Sequence, residues 1–229
     1  VTSLPGLLAA APIALPDPGA NPVALLLALA ALSLLPFLLV TFTSFTKISV
    51  VLSLTRSALG TQQAPPTVVL TGLAAVLSLV VMGPVAEAML ARVHAERLPP
   101  APGPEMLRVL SRAAEPLQAF LLQHGSPELR AEFAALACEL RGGARVSESD
   151  LAVVAPAFVL NELKQAFQIG FLVFLPFLVV DMVVANVLLA LGMQSLSPSQ
   201  VSLPFKVLLF VAVDGWALLA RSLVQGYRA

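Results

Sequence analysis

The sequence predicts an all-α integral membrane protein with about four apolar helical spans or hairpins and one water-exposed helical insert. Three observations carry that reading. The chain of 229 residues is 58% hydrophobic and 11% charged, with a mean hydropathy of +0.91, which is too apolar for a soluble domain. Its apolar residues gather into runs near the length at which a helix, rising about 1.5 Å per residue, crosses a hydrocarbon layer roughly 30 Å thick. Seven of the 13 basic and eight of the 13 acidic residues fall between positions 91 and 150. Basic and acidic residues balance, so nothing argues for nucleic acid as a partner.

Residues 1–21 form an N-terminal segment in which LPGLLAAAPIAL is apolar and rich in small residues. No lysine or arginine precedes it, and Pro5, Pro12, Pro16 and Pro18 break it, so it resembles a cleaved signal only weakly. Residues 22–90 hold the N-terminal membrane helices. The first span is expected over 22–40, kinked or stopped near Pro36. The eight apolar residues after Lys47 are too few to span alone and either continue that helix or return as a short hairpin arm. GTQQAPP at 60–66 is a turn, and a second span runs from Val68 to Met89, closed loosely by Gly83 and Pro84.

Residues 91–150 are read as the insert, which carries both histidines, His94 and His124, and two amphipathic helices over 105–124 and 126–140. Ser126 followed by Pro127 supplies a cap and first-turn signal for the second of these. RGGARVSESD closes the insert as a linker. Residues 151–229 form a C-terminal helical hairpin. A third apolar region starts at Leu151, is interrupted by the polar NELKQAFQ at 161–168, and resumes over 169–193 with one charge, Asp181. A polar turn within 192–200 follows, and then a last span carrying Lys206 and Asp214.

The chemistry of an enzyme is missing from this pattern. There is no HExxH, no GxSxG and no phosphate-binding loop, and both histidines lie in the insert. Cys138 has no companion for a disulfide or a metal site, and no cofactor is implied. What needs explaining is the set of charges in or beside apolar runs: Lys47, Arg56, Glu162, Lys164, Asp181, Lys206 and Asp214. Each costs roughly 2.5–3.5 kcal/mol at the centre of a lone membrane helix, so such groups face protein or a watery cavity. Lys206 and Asp214 are too far apart on one helix to pair, and Glu162 and Lys164 point to opposite sides of theirs. Their partners are expected on other helices, on other subunits or in water.

Three blocks, SFTKISVVLSLTRSALGTQQAPP at 44–66, NELKQAFQIGFLVFLPFLVVDMVVANVLLALGM at 161–193 and SPSQVSLPFKVLLFVAVDGW at 197–216, closely resemble the FliP/SctR family. Its members are core export-gate subunits of bacterial flagellar and injectisome type III secretion systems. The ANxLLALGM run followed by SP, and the lack of a charged leader, resemble the injectisome branch (also called YscR or HrcR) more than the flagellar one. The resemblance implies a ring of about five copies, joined by small membrane partners of the SctS and SctT types, a larger gate protein of the SctV type and a switch protein of the SctU type. Unfolded substrate proteins would pass through its pore across the bacterial inner membrane. It further implies that the insert is periplasmic and that the multi-pass complex projects to that side. The seven insert arginines argue against this by the positive-inside rule, which weakens for loops near 60 residues.

In the family the loop after the third span is methionine-rich and closes the pore, a role suited to methionine's unbranched, polarizable side chain. Here Met193 stands at the first methionine position, while Gln194, Ser195 and Leu196 follow it. The expected constriction is therefore Met193 and Leu196, made wetter by Gln194 and Ser195. Lys206 is expected to meet an acid of another copy, such as Asp181 or Glu162. A small-solute secondary transporter, which would also keep charges and broken helices in the membrane, is the main competing reading. The others are a scaffold without a pore and a flagellar paralogue.

Overall fold

The computed structural model describes residues 22–61, 64–96, 104–193 and 195–228. The N-terminal segment 1–21 and Gln194 lie outside the described residues. Among those residues the chain forms nine α-helices and no strand: α1 Pro22–Phe42, α2 Phe45–Leu59, α3 Thr67–Glu96, α4 Pro104–Ala113, α5 Glu115–His124, α6 Pro127–Leu140, α7 Leu151–Ala190, α8 Pro198–Ala212 and α9 Gly215–Gln225. The protein is all-α.

Contacts divide the chain at residue 39. The part before it holds most of α1, an uncharged helix that continues through Pro36 and whose described side chains, such as Leu26, Leu29, Leu32 and Phe37, are exposed. The part from Val40 onward is the packed body. It begins with a helix break at Thr43 and Ser44, where the Thr43 hydroxyl accepts the Phe45 amide at 3.2 Å and the Thr46 hydroxyl donates to the Val40 carbonyl. Hydroxyls thus satisfy backbone groups that the broken helix leaves free.

Two helices, α3 and α7, are each long and apolar enough to cross a membrane. Two broken pairs, residues 36–42 with α2 and α8 with α9, pass the same test only together, which makes up to four spans. The expected closure at Gly83 and Pro84 does not occur, and α3 runs through both. A proline within a helix removes one backbone donor, and where the turn is held by its neighbours it bends the helix without ending it. The single helix read over 105–124 is instead broken at Ala114, with Pro116 in the first turn of α5. The Ser126 cap is present, its hydroxyl accepting the Leu129 amide at 3.3 Å.

The largest difference is in the third apolar region. NELKQAFQ does not interrupt it, and α7 continues for 40 residues, about 60 Å at the α-helical rise. The last span, read as continuous, is bent by 58° between α8 and α9. The bend sits at Asp214, whose φ of 51° and ψ of 48° place it in the left-handed region that aspartate tolerates better than most residues.

The main core joins Ile48, Val51 and Leu52 of α2 to Ala74 of α3, Ala166 and Phe177 of α7, and Phe210 of α8. Helix α2 approaches α7 so closely at Gly170 that a Cβ there would overlap Leu54. A second cluster joins Phe120 and Leu121 of α5 to Val154 and Phe158 of α7. α7 is therefore the spine on which α2, α5, α6 and α8 are hung. Its length sets apart the two places where charge enters the core.

Candidate functional site

Lys47 lies in the first turn of α2 and Glu162 in the second quarter of α7. The ammonium donates to Glu162 Oε1 at 3.0 Å and to Gln165 Oε1 at 2.9 Å. Its third face is covered by the ring of Tyr227, whose centroid is 3.7 Å from Nζ, a cation–π contact. The other carboxylate oxygen of Glu162 accepts the Tyr227 hydroxyl. Both carboxylate oxygens of Glu162, the Lys47 ammonium and the Tyr227 hydroxyl have partners, and Glu162 is fully buried. The polar residues that suggested an interruption of α7 are the ones that hold α2 against it.

Tyr227 follows α9, and Gly226, which continues the chain in helical geometry, delivers it to the node. Its ring stacks on Phe120 of α5, with centroids 6.0 Å apart and 20° between planes, and meets His124 edge-on at 5.1 Å. Burial first, and then the Glu162 carboxylate, raise the tyrosine pKa far above its ordinary value, so the hydroxyl remains a donor. Burial lowers the pKa of His124, with the Lys47 charge adding to the effect. Asn161 Nδ2 donates to the His124 carbonyl at 2.7 Å and fastens the end of α5 to α7.

The second node lies 19 residues along α7, about 28 Å away at the helical rise. Lys206 of α8 donates to Asp181 Oδ2 at 2.6 Å, and the Ser202 hydroxyl donates to Asp181 Oδ1 at 2.5 Å. Lys206 also reaches the Ala58 carbonyl, at 3.5 Å, near the C-terminus of α2. A cation there complements the negative end of the helix dipole. Gly60, with φ of 77°, ends α2 in a left-handed turn beside Lys206 Nζ. Lys206, expected to meet an acid of another copy, meets Asp181 of its own chain.

The remaining charges belong to neither node. Arg56 bonds the turn between α2 and α3, donating to Thr67 Oγ1 at 2.9 Å and to the Pro65 carbonyl at 3.4 Å. Lys164 and Asp214 are exposed on the single chain. Lys164 lies near Glu128 of α6, whose carboxyl is held below its ordinary pKa chiefly by the Ser126 hydroxyl and less by Lys164 and Arg130. Sequence reasoning missed Tyr227, Gln165 and Ser202. One signal was available for the tyrosine: a chain with 12 phenylalanines keeps a single tyrosine, a hydroxyl placed at one ring only.

The turn after α7 has a defined geometry. Gly192 has φ of 70°, its amide donates to the Leu189 carbonyl at 3.0 Å, and the Met193 amide donates to the Leu188 carbonyl at 2.9 Å. These two bonds are a Schellman motif, which ends a helix cleanly. Ser197 and Pro198 then open α8. Met193 and Leu196 are 45% and 44% exposed and Ser195 is also exposed, so both apolar residues reach the surface of the single chain. Among the described residues no group of three histidine, cysteine or acidic side chains could hold a metal ion.

Helices that pair their buried charges with one another and leave most of their apolar surface uncovered define a multi-pass membrane subunit, completed by lipid or by neighbouring protein. The FliP family profile matches residues 28–223, and the chain belongs to that family. It is 45% identical over 204 residues to the hypersensitivity response secretion protein HrcR of Ralstonia nicotianae, covering 86% of this chain and 94% of that one. It is 48% identical over 206 residues to the flagellar biosynthetic protein FliP of Pectobacterium carotovorum, covering 88% and 77%. With the Yop proteins translocation protein R of Yersinia pestis the identity is 41%, over 89% of this chain and 95% of the relative. The chain is a type III export-gate subunit of the bacterial inner membrane that assembles with other secretion proteins, and it is not an enzyme.

Proposed function

We propose that about five copies of this chain form a ring around a narrow channel for unfolded substrate proteins, closed by the turn at 192–200. The ring is completed by small partners of the SctS and SctT types and works with a larger gate protein of the SctV type and a switch protein of the SctU type. The observation that carries this reading is the uncovered apolar surface. Only 17% of the most apolar stretch of α3 and 11% of that of α7 are buried within the chain. Such surface needs lipid or other helices against it, and a chain whose buried charges are already paired can offer it to copies of itself.

Met193, Ser195 and Leu196 lie in the turn between α7 and α8, where several copies can bring them together. Met193 and Leu196 supply the apolar constriction, and Gln194 and Ser195 hydrate it. The residues 91–150 form a periplasmic domain between the membrane segments 22–90 and 151–229, and the complex projects to that side. Arg56, Lys164 and Asp214, which join neither node, are the charges left for contacts between subunits. The injectisome branch is favoured by the loop residues, since HrcR and the Pectobacterium FliP are similarly close in overall identity. Ion conductance of the assembled gate in a planar bilayer tests the constriction. Met193→Ala with Leu196→Ala should raise the closed-state current severalfold, and an unchanged current would remove the gasket role.

A further inference from the structure

Helices α3 and α9 enclose a groove of about 590 Å³, within the roughly 300–1,000 Å³ span of small-molecule sites. Its walls are apolar, built from Leu77, Val80 and Val81 on α3 and Ala220 and Val224 on α9. Arg221 and Arg228 line the same groove, and both are exposed. Among the described residues neither guanidinium is paired with a carboxylate, since the ion pairs present use Lys47, Arg92, Arg112, Arg141 and Lys206.

A ligand for this place needs an apolar length for the walls and an anionic head for the arginines. Free phosphate uses only the arginines, and an acidic peptide leaves the α3 wall uncovered. A phospholipid uses both, because a guanidinium presents parallel donors that match phosphate oxygens, and basic pockets between membrane helices hold anionic headgroups. We propose that the groove binds one acyl chain of an anionic phospholipid, with the lipid phosphate held by Arg221 and Arg228. The lipid remains with the chain wherever the assembled complex sits relative to the bilayer. Because Tyr227 also lines the groove while its hydroxyl is bound to Glu162, the bound acyl chain lies against the outer side of the first charged node.

The test is native mass spectrometry of the full-length chain in neutral detergent, titrated with palmitoyl-oleoyl phosphatidylglycerol or palmitoyl-oleoyl phosphatidylcholine. The phosphatidylglycerol adduct should form with about tenfold or higher affinity, one per chain, and Arg221→Gln with Arg228→Gln should reduce it to the phosphatidylcholine level. Val224→Trp, which fills the groove, should weaken both lipids. Equal binding of the two lipids by the unaltered chain overturns the proposal whatever the variants do. So does displacement of phosphatidylglycerol by inorganic phosphate, which marks an anion site only, or by a hexaglutamate peptide, which marks a surface for an acidic protein segment.

Discussion

Lys47 meets Glu162 where the side chains are 5% and 0% exposed, whereas Lys206 meets Asp181 where the lysine is 7% exposed and the carboxylate 34%. The first pair is sealed by an aromatic lid from the C-terminal end and reaches the α5 helix through Phe120 and His124. The second is open on one side and lies on the two helices that flank the exposed Met193 and Leu196. The difference teaches where each pair's energy resides. Two ions withdrawn from water lose several kcal/mol of hydration each, and only complete partnering offsets it. The sealed node therefore fixes geometry, while the open node keeps part of its hydration and tolerates change.

The widest separation between the nodes should come from removing one charge at each. Glu162→Gln leaves the Lys47 ammonium buried without a counter-ion and should destabilise the detergent-solubilised chain by about 3–5 kcal/mol, read as a fall of about 10 °C in thermal melting. Replacing both partners, Lys47→Met with Glu162→Leu, should recover most of that loss, because the unpaired charge is gone. If Glu162→Gln melts with the parent chain, the sealed node does not hold the fold.

Tyr227→Phe keeps the ring over Lys47 and the stack on Phe120 but removes one hydrogen bond to a carboxylate. The expected loss is about 2 kcal/mol. Asp181→Asn should cost about 1 kcal/mol, since a partly exposed pair is screened and the amide can still accept from Ser202. Equal losses at Glu162 and Asp181 would erase the distinction between the two nodes.

The smallest effect concerns His124. Its folded pKa lies below the ordinary 6.5, so the folded chain binds fewer protons than the unfolded one in the interval between. Its contribution is complete above pH 6.5 and is lost as pH falls through the lower, folded value. A melting series across that window should show stability declining with acidification, and His124→Gln should remove that part of the slope.

How much of this was legible in the sequence depended on whether the signal was local. The helical class and the Ser126 cap could be read directly, because hydropathy and capping are properties of short stretches. The continuity of α7 through residues 161–168 was not legible: the polarity there is answered by Lys47, 115 residues earlier. Pairing within the chain was hidden for the same reason, because helix periodicity rules out partners on the same helix but says nothing of the next one. Tyr227 was missed because its place follows from how α9 returns to the body, a tertiary fact. The break at Asp214 lay inside an apolar run whose composition reads as one span.

The measurement that tests the central claim most directly is native mass spectrometry of the detergent-extracted protein, expressed alone and together with the small SctS-type and SctT-type membrane proteins. A discrete multimer near five copies that gains those partners is the predicted result. A monomer or dimer that ignores them would contradict the ring and leave the uncovered faces of α3 and α7 as lipid-facing surface alone.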